Sequence, residues 1–534
     1  MLSYLCGVMM VLTAAEERQA EQWTVEQESL DRGDLMERAG RGVADEVKVL
    51  VGAERKRVFV FAGRGGNGGD ALVVARLLSV ETNCELNVYL INNEGNLNAE
   101  CELNRDRLRA ECPDVAFTEV VGQFSMPVIG EGDIVIDGLF GSGLSRPLSG
   151  GHAMLVKLLN KSGATIVAID VPSGLMAEDN SQNYKANIVQ ATLTLSIGAL
   201  KPCFLMSDNQ KVLGRWKVVD IGLQLPDELR DNLSYRTTAA EDAKRLRRER
   251  NCFGNKGTFG HGLLIAGQFG MAGAAILSAR AALRSGLGKL TVHTPRCNNN
   301  ILQIAVPEAV LHHDEENYAF GTAVRLDGFS ALALGPGLGI KKDTAQAMIR
   351  NVSGAVIPVV IDADGLNILA DHLGWLRQLP PRTVLTPHPR EFQRLFGESL
   401  SGFEMLKKAR DAAQDYGIFI VLKGHYTAIC TPEGKTFINM TGNSGMATAG
   451  TGDVLTGVLL GLLAQGYREE DALRLGVYLH GRAGDIAAEA LSEEGMTAGD
   501  VVECLPKAFK ELVSEERGVR REELRLLRSL VPST

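Results

Sequence analysis

At 534 residues the chain is longer than one hydrophobic core ordinarily supports, so two or more domains are expected. Its 45% hydrophobic and 23% charged content excludes disordered and collagen-like classes. A formal net charge of -9 argues against nucleic acid or an anionic membrane as the main partner.

Residues 1–12 are apolar but short, with no Lys, Arg or cleavage site, so Met9 or Met10 is read as an alternative start to Met1. Further on, short β-branched runs at 57–62, 86–91, 134–137, 165–169 and 191–196 predict strands. Helical stretches at 71–79 and 153–160 separate some of them, and that alternation predicts a mostly parallel sheet covered on both faces. A charged stretch at 226–250 predicts a solvated helix and linker, with a domain boundary near 230. A second α/β series follows, with strands expected at 262–266, 290–293, 331–334, 359–362, 383–385 and 418–423 and a helix at 454–463. The two halves share no motif order, so they are not repeats. No run reaches transmembrane length, and the nine cysteines form no Cys-x-x-Cys pair, so a cytoplasmic protein with reduced thiols is expected.

Glycine is the compositional outlier, at 59 residues, and two loops concentrate it. The first, Gly63-Arg64-Gly65-Gly66-Asn67-Gly68-Gly69-Asp70, satisfies Gly-x-Gly-x-x-Gly between a strand and a helix. Such a turn lets the backbone approach a phosphate at a helix start. Hydride transfer is disfavoured, because the second strand ends Ile91-Asn92-Asn93 with Glu94 displaced, where a ribose-binding acid is wanted. Asp70 would repel a pyrophosphate while helping to cap the helix. Asp137, followed by 138–147, and Asp170, followed by Val171-Pro172-Ser173-Gly174, converge on the same sheet edge. Three carboxylates and several glycines there predict a site.

The second loop, Gly442-Asn443-Ser444-Gly445-Met446-Ala447-Thr448-Ala449-Gly450-Thr451-Gly452-Asp453, runs into an apolar helix. Backbone donors at that helix start suit a transferring phosphoryl group, with Asp453 beside them to take a hydroxyl proton. The competing reading for Asp453 is a helix cap. Other strand ends bring Gly335-Pro336-Gly337-Leu338-Gly339, Asp362-Ala363-Asp364, His388 between two prolines, and Lys423-Gly424-His425-Tyr426-Thr427.

The first 225 residues or so resemble the NAD(P)H-hydrate epimerase family, through 63–70, 137–147, 170–174 and Leu35-Met36-Glu37-Arg38-Ala39-Gly40. Where that family's loop carries two asparagines, this chain has Gly66 and Asn67. The resemblance implies potassium held by Asn67, Asp137 and Ser173. It also implies substrate contacts from Gly66, Asn67, Gly68, Gly69 and Asp70, from Gly141, Ser142, Gly143, Leu144, Ser145, Arg146 and Pro147, and from Asp170, the expected proton-handling residue. Residues near 235 to 510 resemble the ribokinase-like ADP/ATP-dependent NAD(P)H-hydrate dehydratases, also through Asn255-Lys256-Gly257, 271–275 and Pro307-Glu308. Asn255 stands where many members have His, so no acid/base role is expected there. The implied hydrate contacts are Ala274, Gly337, Gly339, His388 and catalytic Asp453, with nucleotide contacts at Lys423, Gly424, His425, Tyr426, Thr427 and Gly452.

Together these resemblances imply an α/β chain with a Rossmann-like three-layer domain at 10–228 and a ribokinase-like domain at 229–534. The expected activity is epimerisation of hydrated NADH or NADPH followed by ADP-driven dehydration, with Mg2+ on the nucleotide. The expected partners are small molecules and further copies of the chain. The alternatives are a small-molecule kinase, or a non-catalytic N-terminal binding module.

Overall fold

The structure is a computed structural model that describes residues 9–93 and 95–513. Residues 1–8, the displaced Glu94, and the end of the second expected domain (514–534) therefore lie outside the described residues. The chain divides into two compact units, Met1–Tyr235 with Leu400–Met405, and Arg236–Ser399 with Leu406–Thr534.

In the first unit the strands are β1 Arg57–Ala62, β2 Glu85–Ile91, β3 Ala116–Val120, β4 Ile134–Gly138, β5 Thr165–Ile169, β6 Leu193–Ile197 and β7 Arg215–Val219. They form one seven-stranded sheet in the order β3-β2-β1-β4-β5-β6-β7, and every neighbouring pair is parallel. Its central strands are buried along nearly their whole length, as a sheet covered on both faces requires. One face is closed by Val43, Val47, Leu72 and Val74, the other by Val156, Leu159 and Val189. The order turns back between β1 and β4, which places the loops after those strands at a topological switch point.

In the second unit the strands are β8 Arg236–Thr237, β9 His261–Ile265, β10 Lys289–Thr294, β11 Val310–His313, β12 Ala331–Leu334, β13 Val359–Ile361, β14 Val384–Leu385, β15 Phe419–Leu422, β16 Ala428–Cys430 and β17 Thr436–Ile438. The sheet runs β11-β10-β9-β12-β13-β14-β15-β16-β17-β8, parallel as far as β15, with β16 antiparallel to both its neighbours. The apolar helix Thr451–Ala464 is buried on almost every side, against helix Ala272–Arg284 and the sheet. Small residues permit that approach: a Cβ on Gly457 would lie 2.1 Å from the Ser278 carbonyl oxygen.

Two local expectations need correction. The stretch 226–250 is not one helix but the short helices Asp227–Asp231 and Ala240–Leu246 with β8 between them, because β17 offers β8 a parallel partner. Asp70 does not cap its helix: the helix starts at Gly66, so Asp70 lies beyond the first turn, and no side chain caps that end.

Candidate active sites

In the first unit the glycines of the 63–70 loop have different reasons to be there. A Cβ on Gly63 would sit 1.9 Å from the Leu139 carbonyl oxygen, and one on Gly68 would sit 1.7 Å from that of Gly63, so both are fixed by packing. Gly69 is pressed on Met36. A Cβ on Gly65 or Gly66 would meet nothing within 4 Å, so those glycines border open space. Asn67, in the first turn of helix Gly66–Glu81, has both amide atoms buried without a partner. Such orphaned polar atoms are costly unless something else satisfies them.

Asp137, next to last in β4, is fully buried. Its carboxylate accepts from the Ser173 hydroxyl at 2.6 Å, the Ser173 amide at 2.8 Å and the Leu139 amide at 3.3 Å. Burial outweighs those bonds and pushes its pKa up to about 6. Gly141 brings the pieces together: a Cβ there would lie 3.0 Å from Asp170 Oδ2 and 3.2 Å from Asn67 Cγ. Asp170 follows β5 with φ +67, a left-handed conformation unusual for a non-glycine residue. It accepts from the Ser142 amide at 2.8 Å and pairs with the buried Lys201. Burial raises an aspartate, but Lys201 and Ser142 together hold Asp170 below the usual carboxylate range. Lys201 also pairs with Glu17 at 2.6 Å, and burial pushes Glu17 up to about 7 in spite of that pair. Burial and then Asp170 raise Asp70 well above its ordinary value. The remaining predicted contacts, Gly143, Leu144, Ser145, Arg146 and Pro147, form the loop between β4 and helix Gly150–Lys161, with Gly143, Ser145 and Arg146 exposed.

In the second unit Asp453 lies in the first turn of helix Thr451–Ala464, whose N-cap is Gly450 at φ +96 and which no side chain caps. The cap alternative for Asp453 therefore fails. Burial first, then Asp362, push Asp453 up to about 6, against the opposing Lys423. Asp362, fully buried after β13, accepts from Lys423 Nζ at 2.8 Å and from the Thr456 hydroxyl at 2.6 Å. Lys423 Nζ also lies 3.9 Å from Glu391, and a Cβ on Gly452 would be 3.4 Å from that ammonium. The lysine therefore stands at the mouth of the loop with a fixed counter-charge behind it.

His388 caps helix Pro389–Phe396: its Nδ1 accepts from the Arg390 and Glu391 amides at 3.2 and 3.3 Å. Burial and the nearby Lys423 lower its pKa, so the ring is neutral with the proton on Nε2. Gly337 and Gly339, at φ +57 and +79, curve beneath Met271 and Gln268, and a Cβ on Gly337 would lie 3.2 Å from Ala274 Cβ. The Gly339 amide donates to Asp364 at 2.8 Å. Gly424, His425, Tyr426 and Thr427 form the turn between β15 and β16. The Thr427 hydroxyl donates to the Gly424 carbonyl at 3.1 Å, and the His425 and Tyr426 rings lie 4.3 Å apart.

Residues 262–507 match the family described as NAD(P)H-hydrate dehydratase, and residues 32–203 match the YjeF-related protein N-terminus. The bifunctional NAD(P)H-hydrate repair enzyme of Moorella thermoacetica is 32% identical over 531 residues, covering 95% of this chain and 98% of that protein. That of Thermofilum pendens is 33% identical, covering 92% and 94%. The chain belongs to the family of bifunctional NAD(P)H-hydrate repair enzymes. Among solved structures, the ADP/ATP-dependent NAD(P)H-hydrate dehydratase from Bacillus subtilis, co-crystallised with ATP/Mg2+, is 33% identical. It covers 52% of this chain and 99% of its own, with a TM-score of 0.47.

Several residues that the structure packs against these candidate sites escape a reading of the sequence. Lys201 follows β6 with no motif around it, and Glu17 lies on helix Ala14–Glu28, whose sequence carries no site signal. His480, half-buried on helix Glu469–Leu491, donates from Nε2 to the Thr451 carbonyl at 2.9 Å, and desolvation drives its pKa down to about 4. Asp485 on the same helix accepts from the Gly442 amide and the Asn443 side chain at 3.1 and 3.0 Å. These two residues brace the 442–453 loop from below. Among the described residues no cluster of three or more His, Cys, Asp or Glu is arranged for a metal ion, and no helix is long and apolar enough to cross a membrane.

Proposed function

We propose that the first unit interconverts the epimers of hydrated NADH or NADPH, and that the second dehydrates one epimer at the expense of ADP. The observation that carries the reading is Asp453. It is a carboxylate raised to about 6, at an uncapped helix start, facing the Lys423–Asp362 pair.

Hydroxide is a poor leaving group, so the hydrate does not readily lose water directly. In this reading Asp453 accepts the proton of the ring hydroxyl, whose oxygen takes the terminal phosphoryl group of ADP. The ring nitrogen lone pair then expels phosphate, and loss of the neighbouring C–H proton restores the double bond. Lys423 and the amide groups of the loop oppose the charge of the transferring group. In this reading the neutral His388 ring, whose Nε2 stands 3.5 Å from Glu391, contacts the hydrate, while Gly337, Gly339 and Ala274 give it a floor with no side chain larger than a methyl. Both Asp362 oxygens are taken by Lys423 and Thr456. Magnesium therefore enters this reading as an ion carried by the nucleotide phosphates, whose charge it neutralises.

In the first unit Asp170, kept ionised by Lys201, handles the proton, and the 66–70 and 141–147 loops hold the substrate. The orphaned Asn67 amide oxygen, with the Asp137 carboxylate and the Ser173 hydroxyl, would supply the oxygen donors for potassium, Asp137 sharing with the ion the oxygens that already accept from Ser173 and Leu139. Potassium there would supply positive charge among Asp70, Asp137 and the substrate phosphates. A homo-oligomer in the cytoplasm completes this reading, and sedimentation of the full chain checks the assembly.

A phosphate assay separates this reading from a kinase. With ADP and the hydrate, inorganic phosphate is expected to appear one for one with dihydronicotinamide absorbance. A stable phosphorylated hydrate without phosphate release would identify a kinase instead.

A further inference from the structure

The first unit has a cavity that the reading above leaves unused. It measures about 610 Å³, within the range typical of small-molecule sites. Ile91 and Val120, the last residues of β2 and β3, line it together with Asn93, Phe124, Met126 and His152. We propose that this cavity receives the purine base of the dinucleotide hydrate while the hydrated ring lies at Asp170, an inference that rests on the epimerase reading of this unit.

Continuity with the candidate site is the first argument. The His152 ring meets Phe140 edge to face at 5.0 Å, and the Phe140 amide donates to the Ser173 hydroxyl at 2.8 Å, which in turn bonds Asp137. One aromatic ring therefore separates the cavity wall from the pair that closes the candidate epimerase site. Position in the fold is the second. The sheet order turns back between β1 and β4, and the cavity opens at the carboxyl ends of β2 and β3, along the crevice where open α/β sheets seat the far half of a dinucleotide.

Lining chemistry is the third argument. Phe124 and His152 are the rings that line it, with Phe124 backed by Tyr89 at 6.0 Å and Tyr89 by the buried Phe61 at 5.3 Å. A flat base is held by such faces whatever its edge pattern, and the Asn93 and Gln123 side chains supply amide donors and acceptors for that edge. No carboxylate is among the described lining residues. This cavity also does without the ribose-binding acid whose absence argued against a dehydrogenase.

Two glycines allow a test that spares the fold. Gly122 and Gly151 both line the cavity, neither has a positive φ, and a Cβ on either would meet nothing within 4 Å. Gly122→Trp and Gly151→Trp should therefore fill the cavity in a folded chain, which circular dichroism and a thermal melt would verify. Epimerisation is then followed by chromatography without ADP, so that the second unit consumes nothing. The two substrates are hydrated NADH and hydrated reduced nicotinamide mononucleotide, which lacks the purine. The expected result is a KM for hydrated NADH raised about tenfold or more, the scale of one lost stacked base, with the mononucleotide unaffected. Unchanged KM for both substrates, or an equal change for both, would overturn the proposal. An equal change together with an altered sedimentation coefficient would make the cavity an interface between copies. If the unsubstituted chain epimerises neither substrate, the epimerase reading falls and takes this one with it.

Discussion

In both units a lysine is set against an aspartate that follows a strand paired in parallel on both sides: Lys201 with Asp170 in the first, Lys423 with Asp362 in the second. Both places carry strained backbone, with φ +67 at Asp170 itself and +46 at Ala363, directly after Asp362. Each such conformation costs about 1–3 kcal/mol and persists only where the surroundings over-determine it. The remaining carboxylates separate the two. In the first unit Lys201 is wholly enclosed and shared with Glu17, and Asp137 is tied by three hydrogen bonds. In the second, the Lys423 side chain keeps 19% exposure, and Asp453 is tuned by burial and neighbouring charge rather than by hydrogen bonds. The first is built like a rigid charged cradle, the second like a base kept ready to take a proton beside a phosphate loop.

That contrast can be broken at several points. Lys201→Met should be the most damaging change, since it leaves Asp170 and Glu17 buried without a counter-charge. A loss of about 3–5 kcal/mol in chemical denaturation is expected, and a change under about 1 kcal/mol would show the network to be dispensable. Asp453→Asn should lower ADP-dependent dehydration by at least about a hundredfold while epimerisation continues. Near-normal dehydration would remove Asp453 from its role.

Asp170→Asn and Asp137→Asn should part company. The first is expected to abolish most epimerisation at any potassium concentration. The second should leave activity that no longer responds to potassium in a titration, and the reverse pattern would exchange the two roles. A smaller effect is expected from pH. Below the raised Asp453 value of about 6 the carboxylic acid already holds its proton and cannot accept another. The dehydratase kcat/KM should thus be level above that pH and fall about tenfold per unit below it. A profile flat down to pH 4 would contradict the assignment. Smallest of all is Gly66→Asn, which restores the family's usual asparagine where a Cβ meets nothing. Thermal denaturation should move by no more than about 0.5 kcal/mol, so any change in epimerisation KM reports a substrate contact and not a fold defect.

Much of the fold was legible because the central strands are continuous β-branched runs: β1, β5 and β12 have the expected bounds. The strands that escaped are edge strands or very short ones. β3 and β7 expose alternate residues, β11 is mostly exposed, and β16 and β17 span three residues each, so none offers a long apolar run. The candidate site residues in the glycine-rich strand-end loops were legible because glycine at those positions lets the backbone turn and pack where a Cβ would clash, as at Gly63 and Gly68. Lys201, Glu17 and His480 were not, because their meaning is tertiary. A glutamate on an ordinary helix joins the candidate site only when the fold buries it against a lysine far along the chain.

The most direct test incubates the full chain with each hydrate epimer separately, with and without ADP, and follows dihydronicotinamide absorbance. Recovery from both epimers with ADP, and interconversion without recovery when ADP is absent, is the predicted result. Recovery from one epimer alone would contradict the pairing of two activities in this chain.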